Sequence, residues 1–518
     1  MKSIIKLHNE INIKNFFSQY RYVYIYGAGE YGKCCAECFM EYNISFKGYV
    51  VSNKTINWID EIPVYSYDEI YRELGDNDCL VLAMKKIYQL EVLNIIGNEF
   101  NGQLIDITSY KYFYYRLNRE CIEFLDNLSQ KYPPATYDNN DFSNILVIRL
   151  DRIGDMIWTS AFFRELRRNF PRSRITAVCE KSVLSLLCNC PYVDRVIGYK
   201  CSQEEKTGRL MNMEQLIRAS EFAKSNLCDS KYDVVFLPRG IQNKEMMSNI
   251  FLAVCSSAPI RIAGYYATSD KIEAWYRESM SKLFSVIAEH RYPLHEVEKA
   301  LNVLKAIDCH IKEDDTEIWY KNNQMVADMN MVQIRELRKK FDYLIAIGLT
   351  SQSSARTWSP QKYKELFGKI DDKFSVCFLL FGDTNAQKEA SIAFDDKCCL
   401  DFTGKTNLND VMQLMSICDI YLGSNTGLEH IAAAMKKPVV EISVAFPWAD
   451  DNVGLSPQNC GAWKTKHVVV CPAVPQDEAC AKTGFCVNDS PHCINNVSVE
   501  SVYNVLSGFL KNYMFTNN

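Results

Sequence analysis

The chain has 518 residues, 47% of them hydrophobic and 23% charged, with a formal net charge of -5. That length anticipates three or four domains with buried cores, and the composition excludes a disordered, collagenous or coiled-coil chain. No global basic field points to nucleic acid, and no apolar run reaches the ~18–20 residues that span a bilayer. The first residues, MKSIIKLHNEINIKNFF, are broken by polar side chains and lack a small-residue cleavage site, which argues against a signal peptide. Most of the 21 cysteines stand singly in apolar runs (Cys79, Cys179, Cys377, Cys418), where Cys acts as a small hydrophobe. An odd count without an export signal predicts a reducing, cytoplasmic setting.

In chain order, Tyr22–Tyr26 predicts a strand, followed by Gly27-Ala-Gly29-Glu-Tyr-Gly32 and a helix start. This context suits a phosphate held on backbone N–H groups, which makes Gly27, Gly29 and Gly32 a candidate ligand loop. The next strand, Phe46–Val51, ends in Ser52-Asn53-Lys54 without the acid that an NAD ribose asks for, so an NAD-linked oxidoreductase is disfavoured. A degenerate module that only docks on its neighbour is the alternative. Cys79–Ala83 predicts another strand of this unit, residues 1–130. KYPPATYDNNDFS then supplies a linker, 131–140.

The strand Ile145–Leu150 opens a central unit, 141–325, with further strands at Ile175–Cys179 and Asp233–Leu237. Asp151-Arg152-Ile-Gly154-Asp155 lies at the end of the first strand, where a parallel sheet presents groups to substrate. Asp155 suits a general base or a helix cap; Asp151 is the substitute. Arg164, Arg167 and Arg168 share a helical face, which suits an anionic acceptor, an anionic leaflet or plain solvation.

The polar stretch Lys312–Lys340, ending in a predicted helix Met331–Lys340, marks a second boundary. Strands follow at Tyr343–Ile347, Val376–Phe381, Ile420–Gly423, Val439–Ile442 and His467–Val470, with a helix over Leu408–Cys418. Several are apolar on both faces, so the pattern predicts α/β architecture with parallel sheets. Thr350, Ser351 and Arg356 lie in a polar loop after the first of these strands, before the N-cap Ser359 and Pro360. Gly382-Asp383 ends the second. Asn425-Thr426-Gly427 opens a small-residue helix, where the amides of Thr426, Gly427 and Leu428 suit a pyrophosphate. Cys471, Cys480, Cys486 and Cys493 lack the paired spacing of a zinc ribbon, and His492 adds a further candidate ligand, so plain reduced thiols are expected ahead of zinc or a disulfide. Residues 497–518 form a final helix and tail.

The segments ILVIRL, the Gly-Asp pair, AFFRELRRNFP, YDVVFLPRG, RIAGY, HEVEKALNVLKAI and LDFTGKT resemble the family 9 heptosyltransferases. SNTGLEHIAAA resembles that family's GxDTGxxHxAAA. The resemblance spans about residues 143–505. It implies a GT-B fold, two Rossmann-like domains facing a cleft, with the acceptor side at 141–325 and the donor side at 341–496. Asp155 falls at the family's acid/base position. Arg356, two residues before Trp358, falls where a basic group contacts the donor phosphates. Thr350, Ser351, Gly382, Asp383, Asn425, Thr426, Gly427 and His430 are carried over to the donor site. Arg152, Arg164 and Arg168 are carried over to the acceptor side. Asn425 stands where the family has Asp; it keeps a capping oxygen and loses a charge, which leaves the donor sugar open. His430 is expected beneath the loop, as neither base nor metal ligand.

The implied reaction is an inverting transfer without metal or cofactor, from ADP-heptose or a related nucleotide sugar to a glycolipid or oligosaccharide acceptor of lipopolysaccharide type. The implied place is the cytoplasm, with peripheral contact on the cytoplasmic face of the inner membrane. A non-catalytic sugar-nucleotide-binding or scaffold protein of surface-glycan assembly is the alternative. GAGEYGK, GYVVSN and IPVYSYDEI resemble the small Rossmann-like domain in front of sugar acyltransferases.

Overall fold

Apolar runs bounded by Gly, Pro and Asn/Asp turns become the strands of three sheets in the computed structural model. It describes residues 4–7, 12–84, 89, 92–93, 95–96, 100–107, 122–138, 141–202, 212–227, 229–241, 247–266, 278–290, 294–321, 336–395, 397–445, 456–476, 480, 486 and 492–516. Residues 331–335 of the expected Met331–Lys340 helix lie outside these; 336–340 are helical. The chain divides into two compact units, Met1–Lys131 with Thr268–Ser281, and Tyr132–Ala267 with Lys282–Asn518.

The first unit carries seven strands: β1 Ile4–Lys6, β2 Tyr22–Tyr26, β3 Tyr49–Val51, β4 Trp58–Ile59, β5 Ile62–Ser66, β6 Asp78–Leu82 and β7 Gln103–Asp106. Their order is β1-β7-β6-β2-β3-β5-β4, parallel except for the β4–β5 pair. The glycine loop after β2 is shaped by two close approaches. Gly27 has φ +108°, and a Cβ on Gly32 would lie 1.9 Å from the Gly27 carbonyl oxygen. The Tyr26 hydroxyl lies 3.0 Å from Ser52 Oγ, at the place where a dinucleotide fold keeps its ribose-binding acid.

The second unit holds two six-stranded parallel sheets. One comprises β8 Asn144–Arg149, β9 Arg174–Glu180, β10 Arg195–Tyr199, β11 Val234–Ile241, β12 Ile260–Tyr266 and β13 Val286–His290. The other comprises β14 Tyr343–Gly348, β15 Val376–Phe381, β16 Cys399–Asp401, β17 Ile420–Gly423, β18 Val439–Ile442 and β19 His467–Val470. Their orders are β10-β9-β8-β11-β12-β13 and β16-β15-β14-β17-β18-β19. Both therefore run third, second, first, fourth, fifth, sixth. Chain direction across the sheet reverses between β8 and β11, and again between β14 and β17. Ligands of such sheets sit outside the carboxyl ends of the strands at that reversal.

Each sheet buries both faces, which is why its strands read as continuous apolar runs. Ile145, Val147, Phe162, Phe163 and Phe236 pack the first; Ile345, Phe367, Phe378 and Leu422 pack the second. The C-terminal helix Val499–Thr516 closes the second sheet through Val502, Leu506 and Leu510, and Tyr343 Oη donates to the Leu510 carbonyl at 3.2 Å.

Two features join the halves of this unit. The helices after β8, Ile153–Trp158, and after β17, Gly427–Ala434, meet at their amino ends. A Cβ on Gly154 would lie 2.5 Å from His430 Cδ2, and one on Gly427 would lie 2.7 Å from Ile153 Cβ. The second feature is the segment around Glu313–Glu317. Arg164 grips Glu317 at 2.7 Å and the Asp315 carbonyl at 2.9 Å, and Arg168 grips Glu313 at 2.9 Å. From the other half, Lys436 pairs with Asp315, Lys464 with Asp314, and Trp463 Nε1 donates to the Asp314 carbonyl at 2.8 Å.

Gly154→Ala must displace His430 and is expected to cost about 1–3 kcal/mol, as overpacking does. Gly368→Ala, in an exposed helix interior with open space around its Cβ position, is expected to stabilise by about 0.5–1 kcal/mol. Denaturant midpoints of the two variants against the parent check both signs.

Candidate functional site

The cleft is built at the two chain reversals. On the first sheet, Arg149 ends β8, and the loop to the next helix carries Asp151, Arg152 and Asp155. Arg149 Nε lies 2.9 Å from Asp151 Oδ2, and Arg149 Nη2 lies 3.3 Å from Asp155 Oδ1. Arg239, at the carboxyl end of β11, donates to Asp151 and, at 3.3 Å, to the same Asp155 oxygen. The other Asp155 oxygen accepts the Arg152 backbone N–H at 3.3 Å. Asp155 thus caps its helix and faces the cleft at once, with its side chain 16% exposed.

Burial pushes the Asp155 carboxyl up; Arg239 and Arg149 oppose this, while Asp151 and Glu296 reinforce it, and the net direction is upward. Glu296 behaves oppositely. Burial works to raise it, but Arg239, Lys299 and Arg149 outweigh that and hold it at about 2. One carboxylate is therefore fixed as an anion while its neighbour is poised toward its neutral form, the divergence that acid–base sites exploit.

On the second sheet, the β14 loop forms a short turn, Ser354–Arg356. Thr357 Oγ1 accepts the Ser351 N–H at 3.2 Å, and Ser424 Oγ donates to the Arg356 carbonyl. The Arg356 guanidinium is pulled down by burial. Cys460 opposes that shift, Arg152 from the other half adds to it, and Glu441 opposes it again. The charge of Arg152, from the half with the first sheet, is thus felt at Arg356.

Asn425 does not cap that helix; its Nδ2 donates to the Cys460 carbonyl at 3.0 Å and to Glu429 at 3.4 Å. An aspartate would turn an oxygen toward the Cys460 carbonyl, which only the amide satisfies. Glu429 and Glu441 are buried side by side, and each has one carboxyl oxygen without a hydrogen-bond partner among the described residues. Burial and the adjacent Glu441 drive the Glu429 carboxyl far up, into its neutral form. Glu441 takes a 2.9 Å hydrogen bond with His467 Nε2. The Cys460 thiol, raised by burial, feels Glu441 and Glu429 from the half with the second sheet and Glu296 and Asp155 from the half with the first. All four carboxyls therefore bear on one cleft.

Between the walls runs an aromatic stack. The Trp158 ring lies 4.5 Å from that of His430 and 5.7 Å from that of His295, and His295 stacks on Trp463 at 4.4 Å. Burial takes His430 down to about 3 and His295 to about 4, so both are neutral rings in a packed seam. His430 packs against Gly154.

Several expected positions serve other ends. Arg164 and Arg168 are clamped by Glu165, Glu313 and Glu317, and Arg167 by Asp194 at 2.7 Å. Their shared helical face is therefore not an open cationic patch, because carboxylates distant in sequence neutralise it. Asp383 caps its own turn, accepting the Asn385 N–H at 3.0 Å. Gly382 is needed for packing, since a Cβ there would lie 2.4 Å from Ala386 Cβ. Thr350 Oγ1 lies 3.8 Å from that same Cβ position. Cys480, Cys486 and Cys493 converge with His492, and Cys471 stands outside that group. Sequence reasoning missed Arg239, Glu296, Glu429, Glu441 and the His295–Trp463 stack. Arg239 did carry a signal, as a charge at the end of the predicted strand Asp233–Leu237.

Residues 226–446 match the family model described as glycosyltransferase family 9 (heptosyltransferase). The chain is similar to that family over this stretch. It is a glycosyltransferase by class. Over 327 residues it is 20% identical to lipopolysaccharide heptosyltransferase 3 of Escherichia coli K12, covering 61% of this chain and 88% of that one. Over 323 residues it is 23% identical to lipooligosaccharide heptosyltransferase 2 of Haemophilus ducreyi, covering 58% and 83%. The fold matches the glycosyl transferase family 9 structure from Veillonella parvula with a TM-score of 0.53 at 17% identity, over 72% of this chain and 98% of that one. It matches the Escherichia coli ADP-heptose lps heptosyltransferase II with a TM-score of 0.50 at 16% identity, over 72% and 99%. The second unit thus has a GT-B fold, and the chain also carries an N-terminal α/β unit. Among the described residues no helix is long and apolar enough to cross a membrane.

The seam histidines set a pH dependence. His295 Nδ1 accepts the Val297 N–H at 3.2 Å and its Nε2 lies 3.0 Å from the Gly461 carbonyl, so the ring is satisfied only when neutral. Its folded value of about 4 lies below the unfolded one of about 6.5. Its contribution is complete above about 6.5 and is lost as pH falls toward 4, at about 1.4 kcal/mol per pH unit. His295→Asn is expected to remove that slope from the pH dependence of unfolding free energy, read from urea melts across the window.

Proposed function

We propose that this glycosyltransferase moves a heptose, or a closely similar sugar, from an ADP-sugar to a glycolipid or oligosaccharide acceptor of lipopolysaccharide type, with inversion and without a metal. The relatives named above act, by name, on lipopolysaccharide or lipooligosaccharide, and one structural neighbour is named for ADP-heptose. The observation that carries the reading is the placement of Asp155. It lies at the β8–β11 reversal, held by Arg149 and Arg239, on the helix that abuts the donor-side helix Gly427–Ala434.

In this reading the donor diphosphate lies on the amides of Thr426, Gly427 and Leu428, where the helix end carries partial positive charge. Arg356 donates charge-assisted hydrogen bonds to the phosphate oxygens and neutralises the leaving ADP. Asp155 takes the proton of the acceptor hydroxyl as its oxygen attacks the anomeric carbon from the face opposite the diphosphate. The bond to the leaving oxygen breaks, and the configuration inverts. Arg149 and Arg239 keep Asp155 oriented and oppose the burial that would leave it protonated. Arg152, exposed at the cleft, serves the anionic acceptor.

Asp155→Asn is expected to lower kcat by about 10²–10⁴ with little change in donor affinity. Because the Asp155 carboxyl is raised, kcat/KM should fall on the acid side above the ordinary Asp value of about 3.9. That limb should be missing from the residual activity of the variant. Near-parental turnover would leave Asp155 as a cap alone. Arg356→Ala is expected to weaken ADP binding by about 1.5–3 kcal/mol in calorimetry, as loss of a charged hydrogen bond does. Unchanged affinity would remove Arg356 from the donor site.

A further inference from the structure

In the segment that follows β19, four side chains that the proposed reaction does not use converge. The sulfurs of Cys480, Cys486 and Cys493 and the Nδ1 of His492 all lie within 4.8 Å of each other. The His492 nitrogen is 3.9, 3.6 and 3.3 Å from those sulfurs in turn. A zinc ion binds Cys sulfur at ~2.3 Å and His nitrogen at ~2.0–2.1 Å, and at the tetrahedral angle those bonds place sulfur and nitrogen about 3.6 Å apart. The three distances bracket that edge. The three cysteines are buried and none is in a disulfide.

We propose that Cys480, Cys486, His492 and Cys493 form a structural zinc site. Three thiolates with one imidazole are a soft donor set that selects zinc over magnesium or calcium. Four protein ligands close the coordination shell, leaving no position for a water or substrate, so the ion is structural rather than catalytic. The Gln476 N–H, 3.5 Å from Cys493 Sγ, supplies the outer hydrogen bond that a metal-bound thiolate accepts.

The site's place in the fold gives the ion a task. Cys493 opens the turn Cys493–Asn496, and the Val497 carbonyl just after it accepts Trp358 Nε1 at 3.0 Å and Lys362 Nζ at 2.9 Å. Lys362 also donates to the Asn495 carbonyl at 2.6 Å. Trp358 is wholly buried and follows Arg356 by two residues. The ion therefore fixes the turn on which the loop bearing Arg356 rests. In the other cluster of ligand-type groups, Glu429, Glu441 and His467, the histidine already makes a 2.9 Å hydrogen bond with Glu441.

The test is the metal content of the full-length protein, purified without chelator and measured by elemental analysis. About one zinc per chain is expected, as for a structural site. Cys486→Ser combined with Cys493→Ser should abolish it, while Cys471→Ser, outside the cluster, should keep it. If the double variant does not fold, the parent carries the test. Titrating its thiols with a mercurial should release one zinc per chain, and cobalt(II) exchanged into it should give the strong absorption of a tetrahedral thiolate site. Parent protein that retains no zinc after incubation with zinc(II) and desalting would overturn the proposal. So would zinc retained by a folded double variant, or stoichiometric iron in its place.

Discussion

The second unit depends on one close contact, the meeting of two helix amino ends at Gly154 and Gly427. Both residues must lack a side chain, because His430 fills the space beside one and Ile153 the space beside the other. The contact brings the two chain reversals, which the shared strand order places at equivalent points of the two sheets, into one cleft. It also sets two partial positive charges face to face, with Arg152 and Arg356 beside them. In the proposed function this is where the donor diphosphate would lie. The neutral histidines of the seam fit this arrangement, since a protonated ring would add charge of the same sign.

The arginines of the helix Ser160–Asn169 illustrate a different economy. Their face looked like a docking patch because three cations stand there with a single acid in local sequence. In the fold they hold Glu165, Asp194, Glu313 and Glu317, and the segment they grip is held from the other side by Lys436 and Lys464. The half-exposed pairs, such as Lys436 with Asp315, contribute modestly one by one, whereas Arg164 and Glu165 are buried and each needs its partners. Their effect here is positional, since they tie the connection between the halves to both walls of the cleft.

Much of the fold was legible in the sequence. β2, β15, β17, β18 and β19 have the predicted bounds, because long apolar runs between turn residues leave little choice. The strands that were missed are short or carry polar residues, such as β4, β7, β10 and β16, and gain their place only by pairing with a neighbour. Motif positions in the cleft were legible where a loop follows a strand end, as at Asp155, Arg356 and Thr426. The partners were not. Arg239 reaches Asp155 across 84 residues, and His295 reaches the Gly461 carbonyl across 166, separations that no local pattern encodes. The same limit applied to the cysteines. Spacing alone favoured free thiols, and only the folded chain brings His492 to face three sulfurs.

The Asn425–Glu429 hydrogen bond has a consequence for how this cleft can vary. Restoring the family's acid at position 425 would set a carboxylate against the Cys460 carbonyl, beside the buried Glu429 and Glu441, and add a third carboxyl to that pair. The single step is therefore closed, although each residue is reasonable in its own setting. An aspartate at 425 becomes tolerable only when Glu429 has already changed to a donor or an apolar side chain. The two positions behave as one heritable character, and a sequence with Asp at the first and Glu at the second, above a buried Glu441, should be rare among chains of this fold.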